Sequence, residues 1–247
     1  NLSTTAVNTS GGGAGSNAVS GGVTLTAAGS ISGAGTISTG SATADDASTG
    51  GTSTTATSGS ISLTATGANV QLGKLTTGAA TVSNVNEGAS TDTATAGTIS
   101  LSGASLGTST GTPQTLALGS GTGGAASVGG LLNLTATAGN IFVSSDAALR
   151  VKDLTTQAAT ANTVDIRTTG GKAIVFDSTG TYANVSGSGT ANNGDAINVV
   201  TDTTGGTVTF NKALDAGSIT VSAGDAVVVN QNLSTTAVNT SGGGAGS

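Results

Sequence analysis

The sequence predicts an all-β chain wound as a parallel β-solenoid (a β-helix), with about seven rungs in a period of 231 residues. Three observations predict it. Apolar and polar residues alternate in short runs, the period of a strand with one buried face. Those runs recur at near-constant spacing. Gly, Thr, Ala and Ser fill 158 of the 247 positions, Pro occurs once, and no apolar stripe of helical period extends over eight residues. An antiparallel sandwich also alternates, but it does not account for in-phase recurrence at steps of 32–38 residues, broken by one bare unit of 22 from Ile197 to Ile219.

The first strand of each unit is read at Val23-Thr24-Leu25, Ile61-Ser62-Leu63, Ile99-Ser100-Leu101, Leu132-Asn133-Leu134, Val164-Asp165-Ile166, Ile197-Asn198-Val199 and Ile219-Thr220-Val221. Stacking them predicts two aliphatic columns, one through Val23 to Ile219 and one through Leu25 to Val221. Second runs follow at Val70-Gln71-Leu72, Ile141-Phe142-Val143, Ile174-Val175-Phe176, Val208-Thr209-Phe210 and Val227-Val228-Val229. A third anchor recurs at Leu2, Leu75, Leu154 and Leu233. Phe176 and Phe210 are expected to stack, with Phe142 facing outward. The Ser/Thr/Gly/Ala stretches 8–21, 41–58 and 79–96 read as loops at one recurring corner.

Residues 1–16, NLSTTAVNTSGGGAGS, return unchanged as 232–247. Either an overlap was introduced where the segment was cut, or the parent chain repeats in tandem; the second reading is adopted. Residues 1–231 are then one period and 232–247 begin the next, all of 1–247 forming a single solenoid segment of a longer chain. The two copies are expected to hold the same place in the rung, Leu233 pointing inward as Leu2 does. Partners are expected to be further copies of the repeat, in the same chain or end to end, because a solenoid rung buries its edges only against its neighbours.

Composition also narrows the chemistry. The chain has no His and no Cys, which points away from thiol- or imidazole-held metals, disulfides and the usual neutral-pH base. No cofactor or metal site is expected. Six basic residues against twelve acidic ones leave no Lys/Arg patch for nucleic acid, and no apolar run has the length of a membrane span. Asp45-Asp46 read as solvated charges, and Asp146, Asp195 and Asp225 as turn residues. Asn1, Asn8, Asn133 and Asn184 begin Asn-x-Ser/Thr triplets, which so much Ser and Thr produces by chance. The densest charge cluster is Arg150, Lys152, Asp153, Asp165, Arg167 and Lys172. Asp153 and Asp165 on neighbouring rungs are the one pairing with the makings of a glycosidase site, though surface ion pairing is the simpler reading. No catalytic residue is assigned. A flat Thr-x-Thr array, as ice or mineral binding needs, is not formed by the pairs flanking the second column, of which only Thr24/Thr26 fits.

GSISLTATGANVQLGKLTTG (59–78) and GNIFVSSDAALRVKDLTT (139–156) resemble the repeats of filamentous-haemagglutinin-like proteins, large surface exoproteins of Gram-negative bacteria. The resemblance implies a right-handed β-helix, a cell-surface or extracellular location, and a role in adhesion or filaments, with host or neighbouring cell surfaces or their glycans as partners. It carries over no catalytic residue.

Overall fold

The computed structural model describes residues 2–3, 7–11, 17–46, 53–83, 92–124, 126–157, 160–183, 185 and 194–235. Among them there is no helix, and two parallel sheets of eight strands each run the length of the chain. The fold is a parallel β-solenoid.

Sheet I stacks Leu2–Ser3, Ile37–Ser38, Leu75–Thr76, Gln114–Ala117, Ile141–Ser145, Thr163–Thr168, Ala196–Val200 and Ser218–Ser222. Sheet II stacks Val23–Ala27, Ile61–Ala65, Ile99–Gly103, Leu132–Ala136, Leu149–Thr155, Ile174–Ala183, Val208–Phe210 and Val227–Val229. Alternate residues of most strands face a shared aliphatic core, in which Ile61, Leu63, Ile99, Leu132, Leu134, Ile141 and Phe176 are wholly buried. Phe176 stacks on Phe210 with ring centroids 4.7 Å apart, as their spacing predicts, and Phe142 lies on the outer face.

The columns differ from the expectation at one point. Val23, Ile61, Ile99 and Leu132 do stack, but the column continues through Val151, Phe176, Phe210 and Val229. Val164, Ile197 and Ile219 belong to sheet I, on Ile141, Leu106, Val70 and Ile31. The cause is a short turn hidden between Leu132 and Val164. Sheet I passes to sheet II through Asp146-Ala147-Ala148 alone, the Ser145 hydroxyl accepting from the Ala147 N–H at 3.0 Å. Each long sheet therefore has eight strands where the spacing suggests seven units. The third anchors are likewise not equivalent: Leu75 lies in sheet I, Leu154 in sheet II, and Leu233 in neither.

The stretches expected to be loops contain strands. Val7–Gly11, Ala42–Asp46, Ala80–Ser83 and Gly121–Thr122 form a four-stranded parallel sheet, and Asn17–Val19, Thr55–Thr57 and Thr93–Thr95 a three-stranded one. Residues 12–16, 47–52 and 84–91 of these stretches lie outside the described residues. The two sheets enclose a second core of Ala18, Ala42, Ala44, Ala56, Ala80, Val82 and Ala94. They form a side lobe on the first four turns, inserted between sheet I and sheet II. The last four turns cross directly, from Ser145 to Leu149, Thr168 to Ile174, Val200 to Val208 and Ser222 to Val227. Alternation with Ala as the apolar partner is a faint pattern, but methyl groups suffice when two sheets pack closely.

A neck of small residues separates the cores. The buried Thr39 hydroxyl donates to the Gly59 carbonyl at 2.6 Å, and the Ser58 hydroxyl to the Gly78 carbonyl at 2.6 Å. The Ser58 oxygen also accepts from the Gly97 N–H at 2.8 Å, so these buried hydroxyls are satisfied by backbone. Because Ala56 is wholly buried between Ala18 and Ala94, Ala56→Leu is expected to overpack the lobe and cost about 1–3 kcal/mol. A urea midpoint unchanged by that substitution would contradict a packed lobe.

The two copies of the sixteen-residue segment do not share a place. Leu2–Ser3 pairs with Ile37–Ser38 in sheet I, whereas Leu233–Thr235 pairs with Leu214–Ala216 in a separate two-stranded sheet. Leu233 follows Val229 by four residues, as Leu214 follows Phe210, and that short link sets its seat. The Leu2 side chain, residue 1 and residues 236–247 lie outside the described residues.

Candidate functional surface

Charged side chains are best followed through the strands that carry them. Asp153 lies in sheet II and Asp165 in sheet I, so the structure does not bring this pair together as a two-carboxylate site. Asp153 accepts the Thr181 N–H of the next turn at 3.1 Å. Asp165 pairs with Arg167, whose terminal nitrogen donates at 2.8 Å, and the carboxylate is only 1% exposed beneath that contact. This ion pair raises the Arg167 guanidinium above its ordinary value, chiefly through the hydrogen bond it donates to Asp165's carboxylate.

Arg150 pairs with Asp177, a residue the sequence reading does not single out. Burial works to raise the Asp177 carboxyl, but the Thr179 hydroxyl and N–H, with Arg150, outweigh it and hold the group below the usual range. Lys74 pairs with Asp146 across 72 positions of sequence, tying the third turn to the fifth. Asp45 accepts from the Ser83 hydroxyl at 3.4 Å, and the Asp46 side chain lies outside the described residues. Among the described residues no group of three or more acidic, His or Cys side chains has the geometry to hold a metal ion.

Three aspartates act as clips between turns. Asp92 accepts the Thr54 N–H at 2.9 Å, and Asp195 the Asn162 N–H at 2.8 Å, each from the turn below and each wholly buried. Asp202 gathers the N–H groups of Gly170, Gly171 and Thr204 and the Thr204 hydroxyl. That hydroxyl, followed by the backbone donors, holds the Asp202 carboxyl below its ordinary value. Asp225, expected as a turn residue, accepts from the Thr207 hydroxyl at 3.2 Å. The spacing of 38 residues between Thr54 and Asp92, and 33 between Asn162 and Asp195, is the only sequence trace of such clips.

Asp195, expected as a turn residue, is thus a buried clip between turns. Burial pushes its carboxyl above the usual range, against the Thr156 hydroxyl and the Asn162 donors. Its folded value lies above the unfolded one, so its contribution to stability is fully present below about pH 4. That contribution is lost as pH rises through the raised folded value. Asp195→Asn keeps the acceptor for Asn162 and cannot ionise. It is expected to melt higher than the parent at pH 7 and alike at pH 3; a lower melting temperature at pH 7 would contradict this.

Hydroxyl side chains recur in register on the outer faces of several strands. On sheet II, Thr26, Thr64, Ser102 and Thr135 pair in register over four turns, beside Thr24, Ser62, Ser100 and Asn133. The Asn133 amide donates to the Ser100 hydroxyl at 3.1 Å. On the lobe, Thr55-Ala56-Thr57 lies against Thr93-Ala94-Thr95, so two adjacent turns present the Thr-x-Thr pattern, with Asn17-Ala18-Val19 in the turn before them. A groove of about 620 Å³ lies where the lobe ends and the narrow turns begin, bordered by Thr77, Leu118, Ser120, Asp146, Arg150 and Lys172.

Comparison with known protein families, with curated proteins and with solved structures returned no match.

Proposed function

We propose that the chain is a structural and adhesive segment of an extracellular or cell-surface rod, built from tandem solenoid periods. The observation that supports this reading is the continuous pair of eight-stranded parallel sheets, which carries hydroxyl ladders on its surface. Continuous backbone ladders resist bending, and rows of hydroxyls at the strand spacing of about 4.8 Å suit multivalent contact with glycans or other hydroxyl-rich surfaces. A chain without Cys or Met also resists oxidation outside the cell. An enzymatic reading lacks a matching arrangement, because Asp153 and Asp165 stand in different sheets.

The test immobilises the chain on beads and measures their retention on glycan-coated surfaces and on bacterial or host cells. Replacing Thr26, Thr64 and Thr135 by Val is expected to lower retention at least tenfold while the β signature in circular dichroism persists. Equal retention by the variant, or release of reducing ends from a polysaccharide by the parent, would overturn the reading.

A further inference from the structure

Two copies of one segment, each paired on one side, together describe a single junction. Among the described residues, Leu2–Ser3 pairs only with a later strand, Ile37–Ser38. Its copy, Leu233–Thr235, pairs only with an earlier one, Leu214–Ala216. An inner strand of a parallel sheet has one neighbour on each side, and the two copies show these neighbours on opposite sides along the axis. Among the described residues the last strand of sheet II pairs on one side only, and its Val227, Val228 and Val229 are 47%, 39% and 51% exposed, an apolar edge of the kind that solenoids cover with another turn.

We infer that Leu233–Thr235 is the docking strand for a second period of this same sequence, which stacks Leu214, Leu233 and the second period's Ile37 into one ladder. The inference rests on the tandem-rod reading and specifies its joint. Leu233–Thr235 then pairs below with Leu214–Ala216, and its first two residues pair above with the second period's Ile37–Ser38 as Leu2–Ser3 pairs in the first. Ile37 belongs to sheet I and Leu214 does not. The period is therefore not a whole number of turns. Each period begins on a different face from the one before, and its side lobe, which spans only the first four turns, emerges on a different side of the rod.

The test uses a chain of two periods, residues 1–231 followed by 1–247. The sequence contains no Cys, so introduced pairs report without background. One variant carries Asp215→Cys with Ser234→Cys; the other carries Ser234→Cys with Ser38→Cys in the second period. Asp215 and Ser234 lie in register on neighbouring parallel strands, and the proposed junction places Ser234 beside the second period's Ser38 as Ser3 lies beside Ser38 in the first, each pair about 4.8 Å apart and within disulfide reach. Under mild oxidation both variants are expected to cross-link in most molecules, seen as faster migration on non-reducing gels. Negative-stain images of the reduced protein are expected to show a rod of double length whose two lobes are not in line. A double-length rod in which either pair fails to cross-link, or in which the lobes align, overturns the junction while sparing the rod. A particle no longer than one period overturns the rod reading and the junction with it.

Discussion

Leu63→Asp is expected to open the solenoid at its second turn. Leu63 is wholly buried, and its strand neighbours in the column are Leu25 and Leu101. No basic side chain of the chain pairs in that column, so the new carboxylate has neither water nor a partner. Burial of such a group costs several kcal/mol, and losses above about 4 kcal/mol mark this class of defect. Leu63→Ala, which leaves a cavity without a charge, is expected to cost about 2–5 kcal/mol. Urea unfolding followed by circular dichroism separates the two, and the Asp variant is expected to recover part of its loss as pH falls and the carboxyl is protonated. An Asp variant that unfolds like the parent would show that the column is not a core.

Gly97→Ala is expected to be nearly as damaging, though it adds only one methyl group. A Cβ at Gly97 would stand 1.9 Å from the Gly59 carbonyl oxygen, and one at Gly59 would stand 2.0 Å from that of Gly21. These glycines lie one over another at the neck, where the chain leaves the lobe for sheet II. The obstructing atom is backbone held in a ladder, so neither strand yields without breaking hydrogen bonds to the next turn. A cost of about 3 kcal/mol or more is expected, at the upper end of overpacking defects. Gly29→Ala is the matched control, since a Cβ there meets nothing within 4 Å. Equal melting temperatures for the two variants would contradict close stacking at the neck.

The fold class is legible because Val, Ile, Leu and Phe alternate strictly with polar residues at Val23-Thr24-Leu25 and its successors, and the 38-residue steps from Val23 to Ile61 to Ile99 are true turns of sheet II. Legibility fails between Leu132 and Val164. Val151 there carries the column in place of Val164, but the turn from Ser145 to Leu149 is too short to announce itself with Gly or Pro. The lobe escapes notice for a different reason. Its inward residues are nearly all Ala, whose small apolar side chain differs too little from Ser or Thr to mark a face. Among charged residues, the pairing of Asp165 with Arg167 is visible two positions apart. The pairing of Arg150 with Asp177 depends on how adjacent turns are registered, and a bulge after Val151 shifts that register.

One continuous stack is the central claim, and axial length measures it most directly. Eight strands per long sheet at about 4.8 Å give roughly 38 Å of rod for the span that the two sheets cover. Chains of one, two and three periods, imaged by cryo-electron microscopy, are expected to lengthen by roughly 34–38 Å, between seven and eight strand rises, with each added period at constant width. Chains that widen without lengthening, or that gain only half that distance per period, would show that the sequence folds back on itself and is not a single solenoid.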